Sequence, residues 1–268
     1  MGDRATTRQA ARGRAAPPAA VQTTMKDVAC EAILLAGGAR AILLQLANPA
    51  VAAGVAEHSD FANRPMDRLT GTLTYLYVTV YGTPEEAARV AREVGRAHAP
   101  VRGAGYDARD TDLQLWVAAT LYETAVTVHD LVFGPLSSAD AERMLTDYAI
   151  VGTALGVPRE QWPASRAAFT SYWMREIAHA NVDDRSRAVA RELLYPRVGP
   201  WWLKAAMPTV RLVASGLLPL QLREAYRLPL NERRYARLVW WMRAIYPKLP
   251  RSLRTTPMRH YLKAYRAR

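Results

Sequence analysis

Between Met66 and Tyr81 the apolar residues Met66, Leu69, Leu73, Leu76 and Val80 recur at three- and four-residue steps, the period of a helix with one buried face. A second stripe, Arg68, Thr72, Tyr75 and Thr79, runs beside that seam at the same spacing. A solvated stripe would carry more charge, and a core stripe would exclude arginine. The pattern predicts one wall of a polar pocket inside a helical protein. The next segment opens with Thr83-Pro84-Glu85-Glu86: an N-cap threonine, proline at the first helical position, then acids in the first turn. Its inward face reads Ala87, Val90, Ala91, Val94 and then His98, with Pro100 ending the helix.

His98 therefore continues an apolar stripe, while Arg89, Arg92, Glu93 and Arg96 lie outside. A histidine so placed can offer a neutral imidazole nitrogen to a metal or a haem iron. It can equally be a core histidine with satisfied hydrogen bonds, or one held by the negative end of its helix. From spacing alone the second outcome is the commoner. His58 is the rival candidate, but its polar neighbours Glu57, Ser59 and Asp60 fit a loop or a helix cap. His129 beside Asp130, His179 at a helix end and His260 in a basic segment lack ligand-like surroundings.

Further along, Asp112 to Phe133 is apolar with an internal polar stripe of Thr120, Glu123, Thr124 and Thr127. Glu123 reads first as a buried partner for an arginine and second as a pocket acid or base. Helices are also expected from Ser137-Ser138 through Val151 and from Pro163 to Ala180, the latter with an aromatic face of Phe169, Tyr172 and Trp173.

Composition sets outer bounds. In 268 residues half are hydrophobic, enough for one sizeable core, and no linker interrupts the middle of the chain. The single cysteine, Cys30, excludes an intrachain disulfide framework and falls among core-like residues. No GxGxxG, Walker, HExxH or GxSxG arrangement is present. Residues 1–25 read as a disordered basic arm, and 26–268 as one all-α domain of roughly ten helices. The arm lacks an apolar signal core and a twin-arginine pair, so a cytoplasmic location is expected. The net charge of +12 gathers in the C-terminal third, where Trp201, Trp202, Trp240, Trp241, Tyr246, Tyr261 and Tyr265 are interleaved with arginines. That composition fits a nucleic-acid face, a membrane surface or an ordinary helical layer with solvated arginines. The last reading carries the most weight, peripheral membrane contact remains open, and nucleic acid is disfavoured.

Several stretches together resemble a known family. They are Gln45-Leu46-Ala47-Asn48-Pro49, Gly54 to Ser59, Arg68-Leu69-Thr70-Gly71-Thr72, His98-Ala99-Pro100-Val101-Arg102-Gly103, Tyr106-Asp107-Ala108, Leu115 to Leu121 and Gly152 to Pro158. Their order and spacing, from about Cys30 to Arg259, are similar to the latex-clearing-protein-like haem oxygenases, which include the rubber oxygenase catalytic domain and the MpaB-type oxygenases. The resemblance implies an all-α fold around one buried b-type haem, with iron held by His98. Arg68 and Thr72 match the Arg-x-x-x-Thr pair near the haem and are the expected catalytic residues. Tyr75 and Arg102 complete the expected cofactor-binding set. The implied activity is an oxidoreductase using dioxygen on a small apolar or unsaturated organic substrate. The alternatives are a haem carrier or sensor, or a basic helical module on membrane or nucleic acid. Two positions depart from the family: Gly71 stands where rubber-cleaving members can carry lysine, and Ala118 where many relatives have histidine.

Overall fold

The computed structural model describes residues 22–58 and 65–268. The basic arm expected over residues 1–25 therefore lies outside the described residues up to Val21. Helix α1 (Met25–Ala29) starts under a capping box: the Thr24 hydroxyl accepts from the Asp27 amide, and the Asp27 carboxylate accepts from the Thr24 amide. A 3-10 turn leads into α2 (Gly38–Leu46), and α3 (Pro49–His58) departs from this arm at 109°. Asn48 makes the corner, its side-chain oxygen accepting the Ala50 and Val51 amides while Pro49 takes the first helical position.

The α4 (Pro65–Tyr81) and α5 (Pro84–His98) helices form a hairpin joined by Gly82 and Thr83. Any Cβ on Gly82 would lie 2.5 Å from the Val78 carbonyl oxygen, so the turn requires glycine. Thr83 and Glu86 exchange a capping box that starts α5 where the sequence predicts. A short antiparallel hairpin, β1 (Arg102–Gly103) and β2 (Tyr106–Asp107), precedes α6 (Thr111–Phe133). Then follow α7 (Ser138–Thr153), α8 (Arg166–His179), α9 (Asp184–Leu194), α10 (Trp201–Leu217), α11 (Leu220–Ala225), α12 (Glu232–Ile245), α13 (Arg251–Arg254) and α14 (Thr256–Arg266). Ten of these fourteen helices are at least ten residues long, matching the all-α expectation.

Helix α6 runs between two core clusters. On one side Leu115, Ala119, Tyr122 and Ala125 pack with residues of α4, α7, α8 and α14. There the rings of Tyr122, Tyr148, Trp162 and Phe169 meet edge-on or stacked, and Trp162 Nε1 donates to the Leu145 carbonyl. On the other side Trp116 joins α2, α9, α10 and α11, and it stacks on Trp173 of α8 at 5.4 Å.

The C-terminal end of α2 is buried, so its free carbonyls need partners. Tyr226 donates to Leu43, Ser186 to Leu46, Trp116 Nε1 to Gln45, and the Asn181 amide to Ala47. This is what the Gln45-to-Pro49 stretch builds: a helix end and a corner closed inside the core. No single helix among the described residues is long and apolar enough to cross a membrane. The bent α2–α3 arm comes nearest, but Leu43, Leu44 and Leu46 are wholly buried in the core.

Candidate functional site

Because only two residues separate α4 from α5, Arg68 near the start of α4 comes opposite His98 at the end of α5. The two are close enough for the Arg68 charge to help hold the His98 pKa below its usual value, the larger cause being burial. His98 is therefore a neutral imidazole near neutral pH. Its Nδ1 is buried and has no hydrogen-bond partner among the described residues. The satisfied core histidine allowed by the sequence is not what the fold builds at that atom.

Arg68 has accessible surface, yet enough protein surrounds it for desolvation to lower its pKa. An arginine so placed stays charged. Thr72, one turn further along α4, is also accessible. The rest of the expected polar wall turns away from this point. Tyr75 is buried, and its hydroxyl donates to the Val151 carbonyl of α7. Thr79 is buried two turns beyond Thr72. The stripe thus divides into an accessible end beside His98 and an inner end packed toward α7. Arg102 is exposed on β1 and faces Asp107 across the hairpin.

The segment after His98 is held by a polar latch that spacing could not reveal. The Tyr106 ring covers Gly103 and Gly54, where an added Cβ would come within 2.6 Å and 3.4 Å of it. Its hydroxyl donates to Glu57 at 2.6 Å and lies 2.9 Å from His58 Nε2, while Arg185 of α9 bridges to Glu57 at 3.1 Å. His58, the rival candidate, is thus engaged at the end of α3 as part of this latch.

The remaining polar candidates have structural work. Arg40 is buried and pairs with Glu123 while donating to Thr124 and to the Leu217 carbonyl. Glu123 is the arginine partner that the sequence favours, though it is only partly buried and Arg40 is the buried member of the pair. His129 hydrogen-bonds Asp130, and His179 ends α8 on the Arg175 carbonyl. At Gly71 a Cβ would meet nothing within 4 Å, so the missing lysine is not enforced by space. Ala118, by contrast, is buried against Gly152, where an added Cβ would lie 3.4 Å from the Ala118 methyl.

Among the described residues no group of three or more His, Cys, Asp or Glu side chains gathers as a metal site. A haem asks less of the protein: one axial nitrogen, cationic partners for its propionates and an apolar surround. The neutral His98 imidazole, whose buried Nδ1 has no hydrogen-bond partner among the described residues, offers one ring to that donor set, and Arg68 beside it offers one cation. Two shallow hollows of about 410 and 430 Å³ lie elsewhere, against α14.

A family model described as ER-bound oxygenase mpaB/B′/rubber oxygenase, catalytic domain, matches residues 25–245, the whole run from α1 to α12. Similar chains include the uncharacterized protein Mb2261 of Mycobacterium bovis and the uncharacterized protein Rv2237 of Mycobacterium tuberculosis. Each is 35% identical over 209 residues, covering 74% of this chain and 82% of the relative. No solved structure matches the chain. Helix α14 lies beyond the matched span but adds Leu262 and Tyr265 to the same core as α4. With the α4–α5 hairpin and His98 inside that span, the chain belongs to the mpaB/rubber-oxygenase catalytic-domain family.

Proposed function

We propose that this protein is a haem b-dependent oxygenase that uses dioxygen on a small apolar or unsaturated organic substrate. The observation that carries the reading is the neutral His98 imidazole at the mouth of the α4–α5 hairpin, beside Arg68, with an Nδ1 that no described residue hydrogen-bonds. His98 would hold the iron, and a bound haem would supply the one-electron and oxygen chemistry that amino-acid side chains lack. Arg68 would pair with a propionate or place fixed positive charge beside the reacting oxygen atoms. Thr72, accessible one turn away, would donate a hydrogen bond into the same space. Tyr75, fixed on Val151, would keep the α4 wall rigid against α7, and Arg102 would offer a second cation at the hairpin.

The test is oxygen uptake by haem-loaded protein with a panel of alkenes and isoprenoid hydrocarbons, read together with product mass in ¹⁸O₂. Substrate-dependent uptake with label in the product is expected. Thr72→Val is expected to lower kcat by roughly tenfold or more without loss of haem. Stoichiometric haem with no substrate-dependent uptake across the panel would favour a carrier or sensor instead.

A further inference from the structure

Helix α12 is unusual in this fold because none of its residues is buried. Its inner side, Tyr235, Leu238, Val239 and Met242, is half-covered, with Tyr235 pressed on Gly216 of α10. On the other side Trp240 and Trp241 are 61% and 50% exposed and meet each other edge-to-face at 5.0 Å. Helical spacing puts Arg237 and Arg243 one turn either side of Trp240, and Arg233 two turns before it. All three are exposed. Ala236 and Ala244, four residues before and after Trp240, leave its flanks uncovered.

The chain beyond α12 keeps the same character. Ile245, Leu249 and Leu253 are exposed alongside Lys248 and Arg251. From residue 233 to residue 268 there are eleven lysines and arginines and no acid. Arg251, Arg254 and Arg266 pair with Asp27, Glu31 and Glu86, but no α12 arginine has an ion-pair partner among the described residues. Helix α10, on which α12 packs, opens with two further exposed tryptophans, Trp201 and Trp202.

We propose that the outward face of α12 and the turn after it dock on an anionic lipid bilayer. Indoles favour the boundary between headgroups and acyl chains, and arginines beside them reach lipid phosphate while their stems stay on apolar surface. The exposed aliphatics Ile245, Leu249 and Leu253 decide against nucleic acid, since they have affinity for hydrocarbon and none for phosphate. Like charge decides against a second copy of this chain, whose arginines would face these across the contact. The inference is independent of the haem reading.

The experiment is sedimentation of the full chain with vesicles of equimolar phosphatidylcholine and phosphatidylserine, and with vesicles of phosphatidylcholine alone. Binding to the anionic vesicles, with a blue shift of tryptophan emission, is expected, together with weak or no binding to the neutral ones. The double variant Trp240→Ala/Trp241→Ala should bind roughly tenfold or more weakly with an unchanged far-UV spectrum. Arg237→Glu/Arg243→Glu, which keeps the indoles, should show a similar loss. Both variants retain the N-terminal arginines, so the comparison isolates α12. Equal binding to both vesicle types, wild-type binding by the tryptophan variant, or tryptophan-dependent capture of oligonucleotides with no vesicle binding would each overturn the proposal.

Discussion

At the scale of single residues, the buried ions and the unpartnered imidazole have opposite fates. Arg40 is deeply buried with each guanidinium nitrogen engaged, by Glu123, Thr124 and Leu217, whereas His98 Nδ1 is buried with no partner among the described residues. Removing one member of a buried pair leaves an uncompensated charge. Glu123→Gln is therefore expected to lower the unfolding free energy by about 3 kcal/mol in urea titration. The double variant Arg40→Met/Glu123→Leu should recover most of that loss, because it removes both charges. A Glu123→Gln protein as stable as wild type would show that Thr124 and the Leu217 carbonyl hold Arg40 without Glu123. His98 was legible as an inward histidine from its place in the Ala87–Val94 stripe, but its missing partner was not. That depends on what surrounds one ring nitrogen, which spacing does not encode.

At the scale of elements, capping chemistry made the boundaries readable. Thr83 and Pro84 start α5 where the sequence predicts, and α4 ends at Tyr81 before Gly82. The helix expected from Pro163 begins instead at Arg166, because the Ser165 hydroxyl caps the Ala168 amide. The Tyr106 latch has no local signature, because Glu57 and His58 lie 49 and 48 residues before Tyr106 and Arg185, which pairs with Glu57, is on α9. Tyr106→Phe is expected to cost about 1 kcal/mol and to speed hydrogen exchange at the Ala108 amide, which bonds Val101. Unchanged exchange there would mean that ring packing on Gly54 and Gly103 suffices. The start of α5 also carries a pH dependence. Glu86 accepts both nitrogens of an Arg266 fork from α14, which with the Thr83 amide lowers its pKa from 4.5 to about 2. A carboxylate whose pKa falls on folding stabilises above its unfolded value and loses that contribution as pH drops toward the folded one. Thermal melts of wild type and Glu86→Gln should thus differ most above about pH 5 and converge toward pH 2. A gap that persists at pH 2 would assign the effect to packing.

At the scale of the whole molecule, α6 divides the core into two clusters, and the α4–α5 hairpin presents His98 and Arg68 together at one end. The all-α class and the main helices were legible from periodicity. The division into two clusters was not, because α6 buries residues on several sides, polar as well as apolar, and favours no single partner. The C-terminal charge was also visible in the sequence, where it read as an ordinary helical layer. The structure shows instead that α12 leaves its tryptophans outside. Whether His98 holds a haem is tested by the absorption spectrum of the chain purified from haem-supplemented cells, with dithionite and carbon monoxide, quantified by pyridine haemochrome beside His98→Ala. Wild type is expected to carry stoichiometric b-type haem with a carbon-monoxide shift, and His98→Ala to fold without it. A wild-type chain that takes up no haem, or a His98→Ala chain that keeps it with an unchanged spectrum, would rule out His98 as the haem ligand.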